Sequence, residues 1–183
     1  MQLKKLDTIT LVNTIPQLMK TGGEIWCEMD FPLVNVGVNP EINTDYCKEN
    51  NIPIFYVERA GGPLVSSKGD YGFVIIAKDL IESRTPEILY RLYLLCKSRG
   101  LNCEFKNNDL LIDGYKTASW AGRRLENNFI YFTIHFSMYM NLELIKEICL
   151  KPMNKTPKGL TDFGITKEDI EQLVQEYNKI REA

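Results

Sequence analysis

Asn108-Asp109-Leu110-Leu111-Ile112-Asp113-Gly114-Tyr115-Lys116-Thr117-Ala118-Ser119-Trp120 is the stretch from which the fold is read. Leu110 to Ile112 and Tyr115 to Trp120 read as strands. The Asp113-Gly114 pair between them is favoured in a two-residue hairpin turn, whose central residues need positive φ. Strands joined this tightly pair antiparallel. Just upstream, Leu101 to Phe105 reads as another strand, with a turn at Asn107-Asn108 before the hairpin. The region carries one lysine at its start of return, Lys116.

Further towards the amino terminus, Val57-Glu58-Arg59-Ala60-Gly61-Gly62-Pro63-Leu64-Val65-Ser66-Ser67-Lys68-Gly69-Asp70-Tyr71 sets an arginine and paired glycines between two apolar runs, Ile54 to Val57 and Tyr71 to Ala77. Both runs read as strands. Adjacent glycines let a backbone bend sharply and approach a ligand where a Cβ would collide, so the segment between reads as a binding loop. Before it, Ile25 to Glu28 and Leu33 to Val36 read as short strands around a turn at Asp30 to Pro32. Asn43 to Glu49 reads as a short helix that ends before Pro53.

Thr85 caps a predicted helix with Pro86 at its first position, and Ile88, Leu89, Leu92, Leu95 and Cys96 recur at helical spacing up to Gly100. Phe129 to Met138 alternates Ile130, Phe132, Ile134 and Phe136 with Tyr131, Thr133, His135 and Ser137, the period of a strand. Asn141 to Leu150 reads as a helix and Lys151 to Gly164 as a connection. Thr166, with Asp169 three residues on, opens a last helix whose Ile170, Leu173, Val174 and Tyr177 share a face. No element is assigned before Glu24. Hairpins among helices place the chain in the α+β class, with helices packed on a mixed, mostly antiparallel sheet.

The 183 residues correspond to one domain, read as spanning 1–183, with a hydrophobic fraction of 44% that suits a packed core. A net charge of −2 leaves no basic excess for a nucleic-acid backbone, which disfavours that partner. No run is long enough to cross a bilayer, and Met1 to Leu11 lacks the apolar core of a signal peptide, so the expected location is the cytoplasm without a membrane. The five cysteines (Cys27, Cys47, Cys96, Cys103 and Cys149) are odd in number and widely spaced, as reduced thiols are. With a single histidine and no paired cysteines, no metal site is expected.

The glycine loop, the Asn-Asp strand and the lysine hairpin, in that order, resemble the catalytic domain shared by lipoate–protein ligases, octanoyltransferases and biotin–protein ligases. Arg59, Gly61 and Gly69 match the transferase loop, whereas Asn108-Asp109 with Gly114-Tyr115-Lys116 is similar to the ligase pattern Asn-Asp-x-x-x-x-Gly-Lys-Lys. Lys116 aligns with both. In the position of the family's loop histidine stands Ser66.

The resemblance implies acyl transfer to a lysine of a lipoyl- or biotinyl-type carrier domain. The donor would be an acyl-adenylate made with ATP and magnesium, or a thioester on an acyl carrier protein. Lys116 would stabilise negative charge at the acyl carbonyl or phosphate as it develops. Arg59, Gly61, Gly62 and Asp109 would shape the pocket for a small acyl ligand. Cys149 falls within a residue of the transferases' nucleophile, yet its neighbours Ile148 and Leu150 are those of a packed helix face, so nucleophile and core packing both remain open. His135 reads as a structural, hydrogen-bonded histidine. The alternative for the whole chain is a binding or protein-interaction module that kept the fold without the chemistry.

Overall fold

A computed structural model describes residues 2–37, 41–56 and 62–182. In chain order its first elements are β1 (Lys4–Lys5), α1 (Thr8–Thr21), β2 (Gly23–Glu28), β3 (Leu33–Val36), α2 (Thr44–Glu49), β4 (Ile54–Tyr56), β5 (Leu64–Ser66) and β6 (Tyr71–Ala77). They are followed by α3 (Glu87–Ser98), β7 (Cys103–Lys106), β8 (Asp109–Ile112), β9 (Tyr115–Arg124), β10 (Ile130–Phe136), α4 (Leu142–Ile148), a 3-10 turn (Leu160–Phe163) and α5 (Lys167–Glu182). The class is the expected one, α+β with a mostly antiparallel sheet.

The strands sort into two sheets rather than one. The larger runs β1-β2-β6-β10-β9-β8-β7, antiparallel except for the β1–β2 edge, and the smaller runs β4-β3-β5 with β3 and β4 parallel. Strand alternation gives the large sheet two unlike faces. Phe73 and Ile75 of β6 and Phe132, Ile134 and Phe136 of β10 pack against Ile88, Leu89 and Leu92 of α3 and Ile170, Leu173 and Val174 of α5. On the other face Ile25, Val74 and Ile76 pack with Leu11 of α1 and Leu33 of β3. The small sheet turns Val34, Val36 and Val65 outward onto Cys47 of α2 and Ile148 of α4.

Helix α1 is the element that the sequence reading passed over. Asp7 accepts a hydrogen bond from the Thr10 amide at 2.9 Å, capping its start, and Leu11, Ile15 and Leu18 fall at i, i+4 and i+7 on its sheet-facing side. Pro16 sits inside it and removes one amide donor from the ladder, a feature that ordinarily breaks a helix pattern. Burial of the stripe against β2 and β6 outweighs that loss.

At α3 the start differs from expectation by one position. Pro86 is itself the cap residue, without a side-chain cap bond, and Thr85 lies outside the helix. The capping box of α5 forms as read, with the Thr166 amide donating to Asp169 Oδ2 at 2.7 Å and the Asp169 amide to Thr166 Oγ1 at 3.3 Å. Tyr177 and Arg181 then reach the buried Glu24 of β2 at 3.3 and 3.5 Å, which pins α5 across the sheet.

Candidate active site

A cavity of about 640 Å³ lies between the two sheets and beneath α1. Its floor is a row of residues that pair across the large sheet: Cys27 opposite Gly72, Gly72 opposite His135, His135 opposite Ser119 and Ser119 opposite Asp109. Leu11, Val12 and Ile15 of α1 form one wall and Leu33, Asn35, Leu64 and Ser66 of the small sheet another. Gly72 keeps the floor low, since a Cβ there would stand 2.5 Å from the Met29 methyl carbon.

Lys116 reaches this space through a β-bulge. Leu110 pairs with Ala118 but Leu111 pairs with Lys116, so one extra residue, Thr117, is spent on the β9 side. The Thr117 hydroxyl donates to the Leu110 carbonyl at 3.2 Å and holds the irregularity. A bulge reverses side-chain parity along the strand that carries it. Lys116 therefore shares a face with Asp109 and Ser119, where regular alternation would have put Thr117.

The Lys116 ammonium lies 2.9 Å from Asp109 Oδ1, and the Lys155 ammonium lies 2.6 Å from Asp109 Oδ2. Lys155 also donates to the Lys106 carbonyl at 2.8 Å. One carboxylate thus holds two cations at the open side of the cavity, where the Lys116 side chain is 34% exposed, and the cluster keeps an excess positive charge aimed at an anion. The segment carrying Lys155 is fixed by backbone pairing: the Lys116 amide donates to the Thr156 carbonyl and the Lys158 amide to the Lys116 carbonyl, each at 3.0 Å.

His135 is buried and fully engaged. Its Nε2 lies 3.1 Å from Asp70 Oδ2 and its Nδ1 3.4 Å from the Ser137 hydroxyl. Asp70 also accepts from the amides of Ser67 at 2.8 Å, Met138 at 2.7 Å and Tyr139 at 3.3 Å, so an acceptor-only carboxylate receives the Nε2 hydrogen. This network ties the loop before β6 to the end of β10, with His135 itself in the cavity floor.

Gly62 lines the cavity together with Lys116, while Arg59 and Gly61 lie outside the described residues. Cys149 follows α4 as its cap residue and also lines the cavity. Burial pushes its thiol up from the ordinary range and the nearby Cys47 pushes it the same way, which suits the packed-thiol alternative of the sequence reading better than the nucleophile. The residues that sequence reasoning missed are Lys155, Ser119 and Asp70. The stretch supplying Lys155 has no periodic pattern; only its backbone pairing with Lys116 brings it to the site. Among the described residues, no group of three or more His, Cys, Asp or Glu side chains stands together as a metal-binding set. Nor is any described helix long and apolar enough to cross a membrane.

No family model and no curated protein matches this sequence. Solved structures do match its fold. One is the archaeal lipoylation system of Thermoplasma acidophilum, a bi-partite lipoate protein ligase and its E2 lipoyl domain, with a TM-score of 0.76 at 14% identity over 96% of this chain and 82% of that one. Another is P. falciparum LipL1 in complex with lipoate, with a TM-score of 0.77 at 12% identity over all of this chain and 61% of that one, less than two thirds of its length. A third is a lipoate-protein ligase A bound with ATP, with a TM-score of 0.73 at 14% identity over 95% of this chain and 83% of that one. The chain has the catalytic-domain fold of the lipoate–protein ligases, as the resemblance in its sequence implied.

Proposed function

We propose that this protein binds a medium-chain carboxylic acid of the lipoyl type between its two sheets and passes the acyl group to a lysine of a small carrier domain. The observation that carries this reading is the placement of the Lys116–Asp109–Lys155 cluster at the open side of a cavity whose walls are largely apolar. An aliphatic chain is stabilised inside by burial, at about 0.8 kcal/mol per methylene. Its carboxylate or acyl phosphate is stabilised outside by two ammonium groups. When the acyl carbon is attacked, charge develops on its oxygen, and a cation already held in place by Asp109 stabilises that charge without reorganising.

Of the two possible donors, an acyl-adenylate fits these residues better than a thioester. The lysine pair suits a phosphate, and magnesium would be carried largely by the nucleotide's own phosphates. A thioester route would need a thiolate at Cys149, and burial there disfavours one. The fold's neighbours support the same choice, since one is solved with lipoate and another with ATP.

The test is a transfer assay with purified protein, lipoate or octanoate, ATP and magnesium, and a lipoyl domain as acceptor, read by intact mass. The expected result is an acyl-sized mass gain on the acceptor, with pyrophosphate released, and the same outcome for Cys149→Ser. A gain that needs an acyl thioester and vanishes with Cys149→Ser would replace the adenylate route. No gain with any donor would leave the binding-module reading in its place.

A further inference from the structure

The large sheet ends in an open edge, since β7 is its last strand and pairs with β8 on one side only. The Asp113 amide donates to the Asn102 carbonyl at 2.9 Å, so in this antiparallel ladder Asn102, Glu104 and Lys106 turn their backbone groups onto β8. Cys103 and Phe105 turn theirs outward, where no described strand receives them. The side chains alternate as well: Cys103 and Phe105 pack under α3, whereas Glu104 and Lys106 stand exposed on the other face.

Above Phe105, α3 carries an apolar stripe that stands open among the described residues. The Tyr93 ring lies 5.0 Å from that of Phe105, Tyr90 stacks on Tyr93 at 5.8 Å, and Leu94 follows Tyr90 by one helical turn. Tyr90 and Leu94 are 48% and 47% exposed. Apolar groups joined to each other and to an unpaired strand edge mark an interaction surface. The charges on the edge say what covers it. A solitary edge is normally guarded by charge that repels a second strand. Glu104 and Lys106 are instead opposite in sign and two residues apart, which makes β7 complementary to itself.

We propose that this surface binds a second copy of the chain about a twofold axis through Phe105, with the two β7 strands antiparallel and the two α3 helices on the same face of one continuous sheet. Phe105 then faces its own counterpart as a hydrogen-bonded pair, using the groups that β8 leaves free, and Glu104 of each copy stands opposite Lys106 of the other. Centring the axis on Glu104 would set the two carboxylates against each other.

Sedimentation equilibrium of the wild type, Glu104→Lys, Lys106→Glu and an equimolar mixture of the two variants tests this. The wild type is expected to dimerise at micromolar concentration. Either variant alone places two like-charge pairs across the axis and should dimerise at least about tenfold more weakly, while the mixture restores two Lys–Glu pairs and should return to within about threefold of the wild-type dissociation constant. Tyr90→Asp on the helix stripe should weaken the dimer by about tenfold as well. A wild type that stays monomeric up to about 100 μM overturns the proposal. So does a dimer that the two charge variants leave intact, that mixing them fails to restore, or that is indifferent to Tyr90→Asp.

Discussion

On the proposed function, Lys116→Ala is expected to lower the rate of acyl transfer by about 10²–10³-fold, the loss found when one preorganised group stabilising developing charge is removed. The variant stays folded because of how the site is wired. The Lys116 side chain is bonded to Asp109, and Asp109 keeps Lys155 at 2.6 Å when Lys116 is shortened. No charge is stranded, and a one-third exposed pair of this kind contributes about 0–1 kcal/mol to stability. The bulge is held by the Thr117 hydroxyl and by backbone bonds, neither of which involves the lysine side chain. Transfer rates and melting temperatures of the two proteins decide the matter: a rate within about threefold of wild type, or a rate loss that parallels unfolding, contradicts a role for Lys116 in the chemistry.

Asp70→Ala has the largest expected effect on stability. The Asp70 side chain is 2% exposed and receives the Ser67, Met138 and Tyr139 amides together with His135 Nε2. Removing the acceptor leaves the buried Met138 amide and His135 Nε2 unpaired at about 1–3 kcal/mol each, while the part-buried Ser67 and Tyr139 amides cost less, so the total loss is about 3–5 kcal/mol. For a chain of this size that lowers the melting temperature by roughly 10 °C. Thermal denaturation of Asp70→Ala measures it directly. A drop of less than about 2 °C would mean that the carboxylate is not the clasp between the loop before β6 and the end of β10.

The hairpin was legible because its turn chemistry is local. Asp113 and Gly114 both take positive φ, at 50° and 80°, as the dipeptide demands. The meander, α3, α5 and the alternating β10 were legible for the same reason: each is signalled by its own residues. What escaped was set by partners distant in sequence. Strand β5 lay hidden in the glycine loop because its pairing partner, β3, is about thirty residues upstream and supplies the register from Leu33 to Asn35. Helix α1 was masked by Pro16, although Asp7, Leu11, Ile15 and the positive-φ Gly22 carried a readable cap, stripe and stop. At the site, Lys116 was found through resemblance, whereas the bulge that aims it leaves no mark in Tyr115 to Trp120. Lys155 was invisible, since a lysine between Asn154 and Thr156 acquires meaning only when that segment pairs with β9.

The central claim is that a carboxylic acid lies between the sheets with its head at the two lysines, and a crystal structure of the protein soaked with lipoate tests it most directly. The account predicts the hydrocarbon chain between α1 and the face of the small sheet formed by Leu33 and Leu64, with a carboxylate oxygen about 3 Å from the ammonium of Lys116 or Lys155. Lipoate bound elsewhere on the molecule, or bound in the cavity with its carboxylate turned away from both lysines, would contradict it.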